Sequence, residues 1–294
     1  MIVGRESASR KVFNVANVLL FILIDIMCLY PLWYILIQSF SDGARAAHAL
    51  ILPIDFTLEN YRVILERKDI GHALFISVAR TVSGTSLTVL GCMLLGYLFT
   101  KQNMPFRKFM YRMLTVTMYV GGGLIPTYLV YKSYGINNTF WVYILPCIVD
   151  AYYVILIKTY VESLPASVEE SAMLDGAGVF TIFTRIILPM SLPIIATIAI
   201  YASVGQWNAW FDNHIYNINS KDLETLQYLL YKYMNEAQSI TQEIKEKNPG
   251  MRIKVTPRGV RMTITMITTI PVLCIYPFLQ RYLIKGLLIG AVKG

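Results

Sequence analysis

Charge is scarce in this chain: Asp, Glu, Lys and Arg make up 15% of 294 residues, against 55% hydrophobic residues and a mean hydropathy of +0.52. A soluble globule needs more charge than this to cover its surface, so the composition selects a membrane protein. Cysteine is also sparse. Cys28, Cys92, Cys147 and Cys274 stand singly in different apolar stretches with no CxxC spacing, which excludes a disulfide framework and a thiolate metal set. His48, His72 and His214 are equally scattered, leaving no metal site and no Cys/His nucleophile to argue from. A GxxxxGK[ST] phosphate loop is missing too. Gly121-Gly122-Gly123 runs into Leu124-Ile125-Pro126, with no Lys or hydroxyl beside it to hold a nucleotide and its metal. Those glycines read as a kink or a close helix approach inside a span.

What the chain has is long apolar runs. A helix rises about 1.5 Å per residue and the hydrocarbon core is about 30 Å thick, so a span needs about 20 residues of low charge. Six stretches qualify: Val12 to Ser41, Thr81 to Thr100, Met113 to Tyr131, Ser133 to Ile157, Ile186 to Phe211 and Met262 to Gln280. An all-α polytopic membrane protein with six transmembrane helices is therefore expected. The basic start, Arg5 to Lys11, resembles a signal peptide, but the following apolar run is too long and lacks a small-residue cleavage site. It reads as a retained first span.

The excess of positive charge, formally +8, would suggest nucleic acid in a soluble protein. Here Lys and Arg lie mostly between apolar runs, where they set orientation, and no nucleic-acid partner is implied. Arg5, Arg10 and Lys11 precede the first span, Lys101, Arg107, Lys108 and Arg112 link the second to the third, and Arg281, Lys285 and Lys293 follow the last. Both ends are then cytoplasmic. The loops Asp42 to Gly71 and Asp212 to Arg258 fall outside, and the loop from Lys158 to Arg185 falls inside. The Lys and Arg residues between Lys221 and Arg258 run against a simple count, but long loops cross largely regardless of charge.

That inner loop carries the most information. In ESLPASVEESAMLDGAGVFTIFTRIILPMSLP, Glu162 to Pro193, Pro165 and Ser167 suit a helix start and Glu169 and Glu170 complement the dipole of its first turn. Gly176 and Gly178 suit its end. Val179, Ile182, Phe183 and Ile186 then recur at helical spacing until Pro189. The result is two short helices on the cytoplasmic surface, acidic and small residues outward, joined rigidly to the fifth span.

Glu170-Ser171-Ala172, then Gly176, then Ile186-Ile187-Leu188-Pro189 resembles, in residue type and spacing, the EAA loop of binding-protein-dependent ABC permeases. Ser171 stands where the family usually has Ala. Further segments, Val120 to Tyr128, Gly205 to Phe211 and Tyr276 to Tyr282 with Ile289 to Gly294, resemble the maltose-permease-like sugar branch, and within it the permeases of alginate and other uronate-containing oligosaccharides. The likeness runs over roughly residues 70 to 294. It implies a type I ABC importer permease fold, with an N-terminal tail, first span and external loop over 1–69, the permease domain over 70–284 with a coupling loop at 162–188, and a C-terminal tail over 285–294. It implies a second homologous permease subunit, two ATPase subunits that use ATP and Mg, an extracytoplasmic solute-binding protein, an oligosaccharide substrate and a bacterial inner membrane. No cofactor is implied for this chain, nor catalysis. ATPase coupling would fall to Glu169, Glu170, Ser171, Ala172, Asp175, Gly176, Ala177, Ile186, Leu188 and Pro189.

Charges inside hydrocarbon are costly, so Asp25, Arg80 and Asp150 should face protein or water. Arg80 lies near the outer end of its span, where it could attract an acidic sugar or reach for the interface. Asp25 and Asp150 would repel a uronate and are expected to make helix–helix hydrogen bonds. A sugar path needs aromatic faces for ring faces and amides for hydroxyls; Tyr119, Tyr128, Tyr152, Tyr153, Gln206, Trp207, Asn208 and Trp210 supply them. Tyr and Trp also form interfacial belts. Two other readings fit the class: a neutral oligosaccharide or non-sugar solute as substrate, or an ion-driven secondary transporter, which should show inverted repeats and broken midplane helices. A membrane-embedded enzyme would need acids or histidines clustered at one depth, which the sequence does not offer.

Overall fold

The structure is a computed structural model that describes residues 8–42, 48–247 and 255–291. Its described elements are helical, with no strand among them. In chain order they are α1 (Ala8–Ser39), α2 (Glu59–Leu65), α3 (Lys68–Leu98), α4 (Arg107–Thr117), α5 (Leu124–Ser133), α6 (Ala151–Glu162) and α7 (Ala166–Leu174). There follow α8 (Val179–Ile182), α9 (Leu188–Met190), α10 (Leu192–Asn208), α11 (Phe211–Tyr216), α12 (Leu226–Asn235), α13 (Ala237–Lys247) and α14 (Pro257–Ala291).

The chain falls into two compact units, one formed by the residues before Lys68 with Lys232–Thr269, the other by Lys68–Tyr231 with the residues after Thr269. In the first unit, distant segments are joined by buried polar groups. The Asn60 amide donates to the Ser39 carbonyl at 3.1 Å and Gln38 donates to the Ala49 carbonyl at 2.9 Å. Arg67 pairs with Glu243 at 3.1 Å and lies over the Tyr233 ring. By contrast α1 is exposed along most of its apolar length, and Asp25 lies there without a side-chain partner among the described residues. The helix–helix bond expected of Asp25 is therefore not made among the described residues.

In the second unit α3 is the spine, flanked by α6 and α10. Close approach is possible because glycine supplies no side chain at the contacts. A Cβ at Gly91 would stand 2.6 Å from the Ile148 carbonyl oxygen, and one at Gly96 would stand 2.5 Å from the Ile157 side chain. The core between these helices contains Met93, Tyr97, Ile157, Phe183 and Ile198.

Among the described residues two helices, Ser9–Ser39 and Lys68–Leu98, are long and apolar enough to cross a membrane. Two bent pairs qualify together: Phe140–Cys147 with Ala151–Glu162, bent by 43°, and Val179–Met190 with Leu192–Asn208, bent by 78°. The expected first and second spans are thus continuous helices, and the expected fourth and fifth are bent ones. Pro146 cannot continue a hydrogen-bonded helix, so the fourth begins as 3-10 turns before α6. Asp150 caps α6 with its own carboxylate, accepting from the Tyr153 amide at 3.0 Å. This replaces the interhelical bond expected of its side chain. The expected third span is divided into α4 and α5 at Gly121–Gly123, where Gly123 has φ +82°. Nothing lies within 4 Å of a Cβ at Gly121, so this is a break in the helix and no close approach. The expected sixth span lies inside α14; its side chains after Cys274 are outside those described, as are Arg5 and the last three residues of the expected tail.

Candidate functional site

Two places in the second unit hold the residues singled out by sequence. The first is the element from α7 to α9. Pro165 precedes α7, and the helix ends in a left-handed turn at Gly176, φ +80°. The Gly176 amide donates to the Met173 carbonyl at 3.0 Å and the Ala177 amide to the Ala172 carbonyl at 2.9 Å, the paired closure that satisfies the last carbonyls of a helix. Gly178 then leads into α8, a π-helical turn at Phe183–Ile187, and α9.

The inner face of this element is apolar. Ile182, Phe183 and Ile187 are buried in the core, and Ala172, Ala177 and Leu188 pack against it. Small residues at 172 and 177 let α7 lie close to that core. Residues three and four apart share a helix face, so Glu169 goes inward with Ala172. Its carboxylate accepts from the Lys101 ammonium, which also lies 4.2 Å from the centre of the Tyr97 ring. The expectation that the acidic and small residues face outward is therefore corrected. Glu170, Ser171 and Asp175 are exposed, but so are large apolar groups, with Leu174 at 89% and Phe180 at 74%. Ile186 is half-buried and Pro189 is exposed.

The second place is a cavity of about 240 Å³ bordered by α3, the segment before α6, and α10. Of the expected path residues, Arg80, Tyr153 and Gln206 line it. Arg80 neither reaches for the interface nor waits for a ligand. It is 1% exposed; its Nε donates to Gln206 at 3.0 Å, and its two terminal nitrogens donate to the Asp212 carboxylate at 3.2 and 2.5 Å. The Tyr143 ring covers it at 4.3 Å. A guanidinium buried this far from water is tolerated because a bidentate carboxylate, an amide and an aromatic face replace its hydration.

The other expected path residues lie elsewhere. Tyr119 is exposed on the glycine break, and Tyr152 is exposed on α6. Tyr128 stacks on Tyr216 at 6.2 Å, Trp210 stacks on Tyr231 at 4.2 Å, and Asn208 accepts from Gln227 at 3.4 Å. Trp207 is half-buried and does not border the cavity. Sequence reasoning missed Asp212, Tyr143 and Lys101. Asp212 could have been found as the one acid directly after the aromatic run Trp207 to Phe211, the natural partner for a buried Arg80. From the sequence, Lys101 reads only as an orienting charge. Among the described residues no group of three His, Cys, Asp or Glu could hold a metal.

No protein-family model matches the chain. Protein LplC of Bacillus subtilis (strain 168) is 34% identical over 98% of this chain and 97% of its own length. The polygalacturonan/rhamnogalacturonan transport system permease protein YtcP of the same organism is 32% identical over 92% and 94%. A crystal structure of a bacterial ABC transporter involved in the import of the acidic polysaccharide alginate matches with a TM-score of 0.86 at 25% identity, over 95% of this chain and 99% of that one. The chain is thus a membrane-embedded, non-catalytic permease subunit of an ABC transporter. It belongs to the sugar-importing branch of that family, in its alginate-type group.

Proposed function

We propose that this chain is a six-span subunit that forms one half of the pore through which an ABC importer carries acidic, uronate-containing oligosaccharides into a bacterial cell. A second permease forms the other half, an extracytoplasmic binding protein delivers the sugar, and two ATPase subunits drive alternating access from the cytoplasmic side. The observation that carries this reading is the α7–α9 element. It presents Glu170, Leu174 and Phe180 outward while Ile182, Phe183 and Ile187 root it among the helices, which is what a surface gripped by another protein and a lever into the membrane both need. The coupling residues are then Glu170, Ser171, Asp175, Gly176 and the exposed Pro189 on the gripped side and Glu169, Ala172, Ala177, Ile186 and Leu188 on the rooted side.

The orientation is supported by which loops meet. His72, at the start of α3, is 2.7 Å from the Asp222 carbonyl, so the 212–231 region lies at one end of this helix. Lys101 and Glu169 meet at the other end. The distribution of Lys and Arg makes the first end extracytoplasmic and the second cytoplasmic in this reading, with both chain ends inside.

The relatives named for polygalacturonan/rhamnogalacturonan and alginate are concerned with polymers rich in uronates, which favours an acidic substrate. A second reading, a neutral oligosaccharide, has one observation in its favour. Among the described residues lining the cavity Arg80 is the sole cation, and it is neutralised by Asp212 beside a further acid, Asp150. Uptake of labelled oligogalacturonates, alginate oligomers and neutral oligosaccharides of equal length, by vesicles holding the whole complex, decides between them. Transport of the acidic classes alone is expected. Transport restricted to neutral sugars would overturn the acidic assignment, and uptake driven by an ion gradient without ATP would overturn the importer reading.

A further inference from the structure

The route from α7 to α10 is bent. It passes the turn at Gly176, a π-helical turn at Phe183–Ile187 and a 78° break before Leu192. Each of these interrupts the regular helical hydrogen-bond ladder. A stroke delivered to α7 reaches α10 only across these three interruptions.

A shorter path exists. Lys101 is fixed to the end of α3 by the turn that follows it: the Thr100 amide donates to the Tyr97 carbonyl and the Lys101 amide to the Leu98 carbonyl, each at 3.0 Å. From there its ammonium reaches Glu169 in the first turn of α7. The pair is sheltered, with side-chain exposures of 19% and 20%. Tyr97 closes it from below, its ring under the ammonium and its hydroxyl 3.5 Å from the same Glu169 oxygen. The ring also rests on Phe183, centres 5.2 Å apart. Burial holds the Lys101 ammonium below the ordinary lysine range, so losing the carboxylate would leave a costly half-buried charge. An exposed ion pair transmits little. This one is held on three sides.

We propose that Lys101, Glu169 and Tyr97 form an internal latch through which α7 moves α3 directly, so that an ATPase stroke reaches the second span as well as the fifth. The latch rests on the importer reading above. Glu169 and Lys101 are positioning residues; the exposed Glu170 is left for the partner.

The test compares the wild type with Lys101→Glu, Glu169→Lys and the exchanged pair, each assembled with its ATPases, partner permease and binding protein in vesicles. Oligogalacturonates and alginate oligomers serve as probes. Lys101→Glu sets two carboxylates against each other in a sheltered site. It should retain the ATPase subunits and hydrolyse ATP, while sugar imported per ATP falls roughly tenfold, the size of an ordinary coupling between sites. The exchanged pair restores opposite charges and should recover most of that loss. A spin label at Val82, on the exposed face of α3, reads the same stroke without substrate. ATP should change its mobility in the wild type and the exchanged pair but not in Lys101→Glu. Should Lys101→Glu fail to fold, Lys101→Met carries the comparison. A normal label response and normal yield per ATP in the single variants would overturn the latch, as would an exchanged pair no better than the singles. Import of neither probe by the wild type, with the label responding as described, would count against the substrate reading and leave the latch standing.

Discussion

At the scale of single residues, the informative feature is a charge that should not be where it is. Arg80 is fully buried and survives because Asp212 accepts two of its hydrogen bonds and Gln206 a third. Removing one member of such a pair strands the other. Asp212→Asn should therefore lower the stability of the detergent-solubilised protein by an amount near the lower end of roughly 3–5 kcal/mol, because Asp212 keeps some contact with water. The apolar double exchange, Arg80→Met with Asp212→Leu, should be less destabilising than Asp212→Asn alone. Thermal denaturation followed by size exclusion ranks the three. If Asp212→Asn melts with the wild type, the pair is not what keeps Arg80 inside.

At the scale of elements, the turn after α7 decides how α8 and α9 are presented. Gly176 sits at φ +80° with nothing within 4 Å of a Cβ, so substitution there acts through backbone strain and not through a clash. A left-handed residue with a side chain costs about 1–2 kcal/mol, less for Asn. ATPase retention and uptake should fall in the order Gly, Asn, Ala, Val at position 176, measured by co-purification and vesicle import. A loss that tracked side-chain volume among variants of equal backbone cost would contradict this. Glu170→Lys makes a different test of the same element. Glu170 is exposed, so the variant should leave the thermal stability of the permease unchanged while weakening ATPase retention. Unaltered retention would mean that the partner grips the apolar face at Leu174 and Phe180 without this acid.

At the scale of the whole molecule, the proposed orientation puts the loops on two sides of the membrane. Asn219 and Ser167 are both exposed, near opposite ends of the second unit as marked by the partners of α3. Cysteines introduced at these positions, in a background with the four native cysteines replaced, should react with an impermeant thiol reagent from opposite faces of the membrane. Reaction of both from one face would refute the orientation.

The sequence by itself determined the class of this protein and the place of α7 and its closing turn. Hydrophobicity over about 20 residues is a local property that the bilayer reads directly, so α1 and α3 were legible. So was the α7 turn, because glycine is the residue that accepts a left-handed helix end. Only the tertiary structure decided which side chains meet. It split the expected third span at Gly121–Gly123 and bent the fourth and fifth, because a helix that packs against protein need not be straight to satisfy its backbone. It drew Asp212 to Arg80, and Lys101 to Glu169, across separations that no local pattern spans. It also turned Glu169 inward and left its neighbour Glu170 outside. Which of two adjacent acids faces the core is set by the rotation of α7 against α3. That rotation follows from how Ala172, Ala177 and Phe183 fit a surface assembled from three other helices.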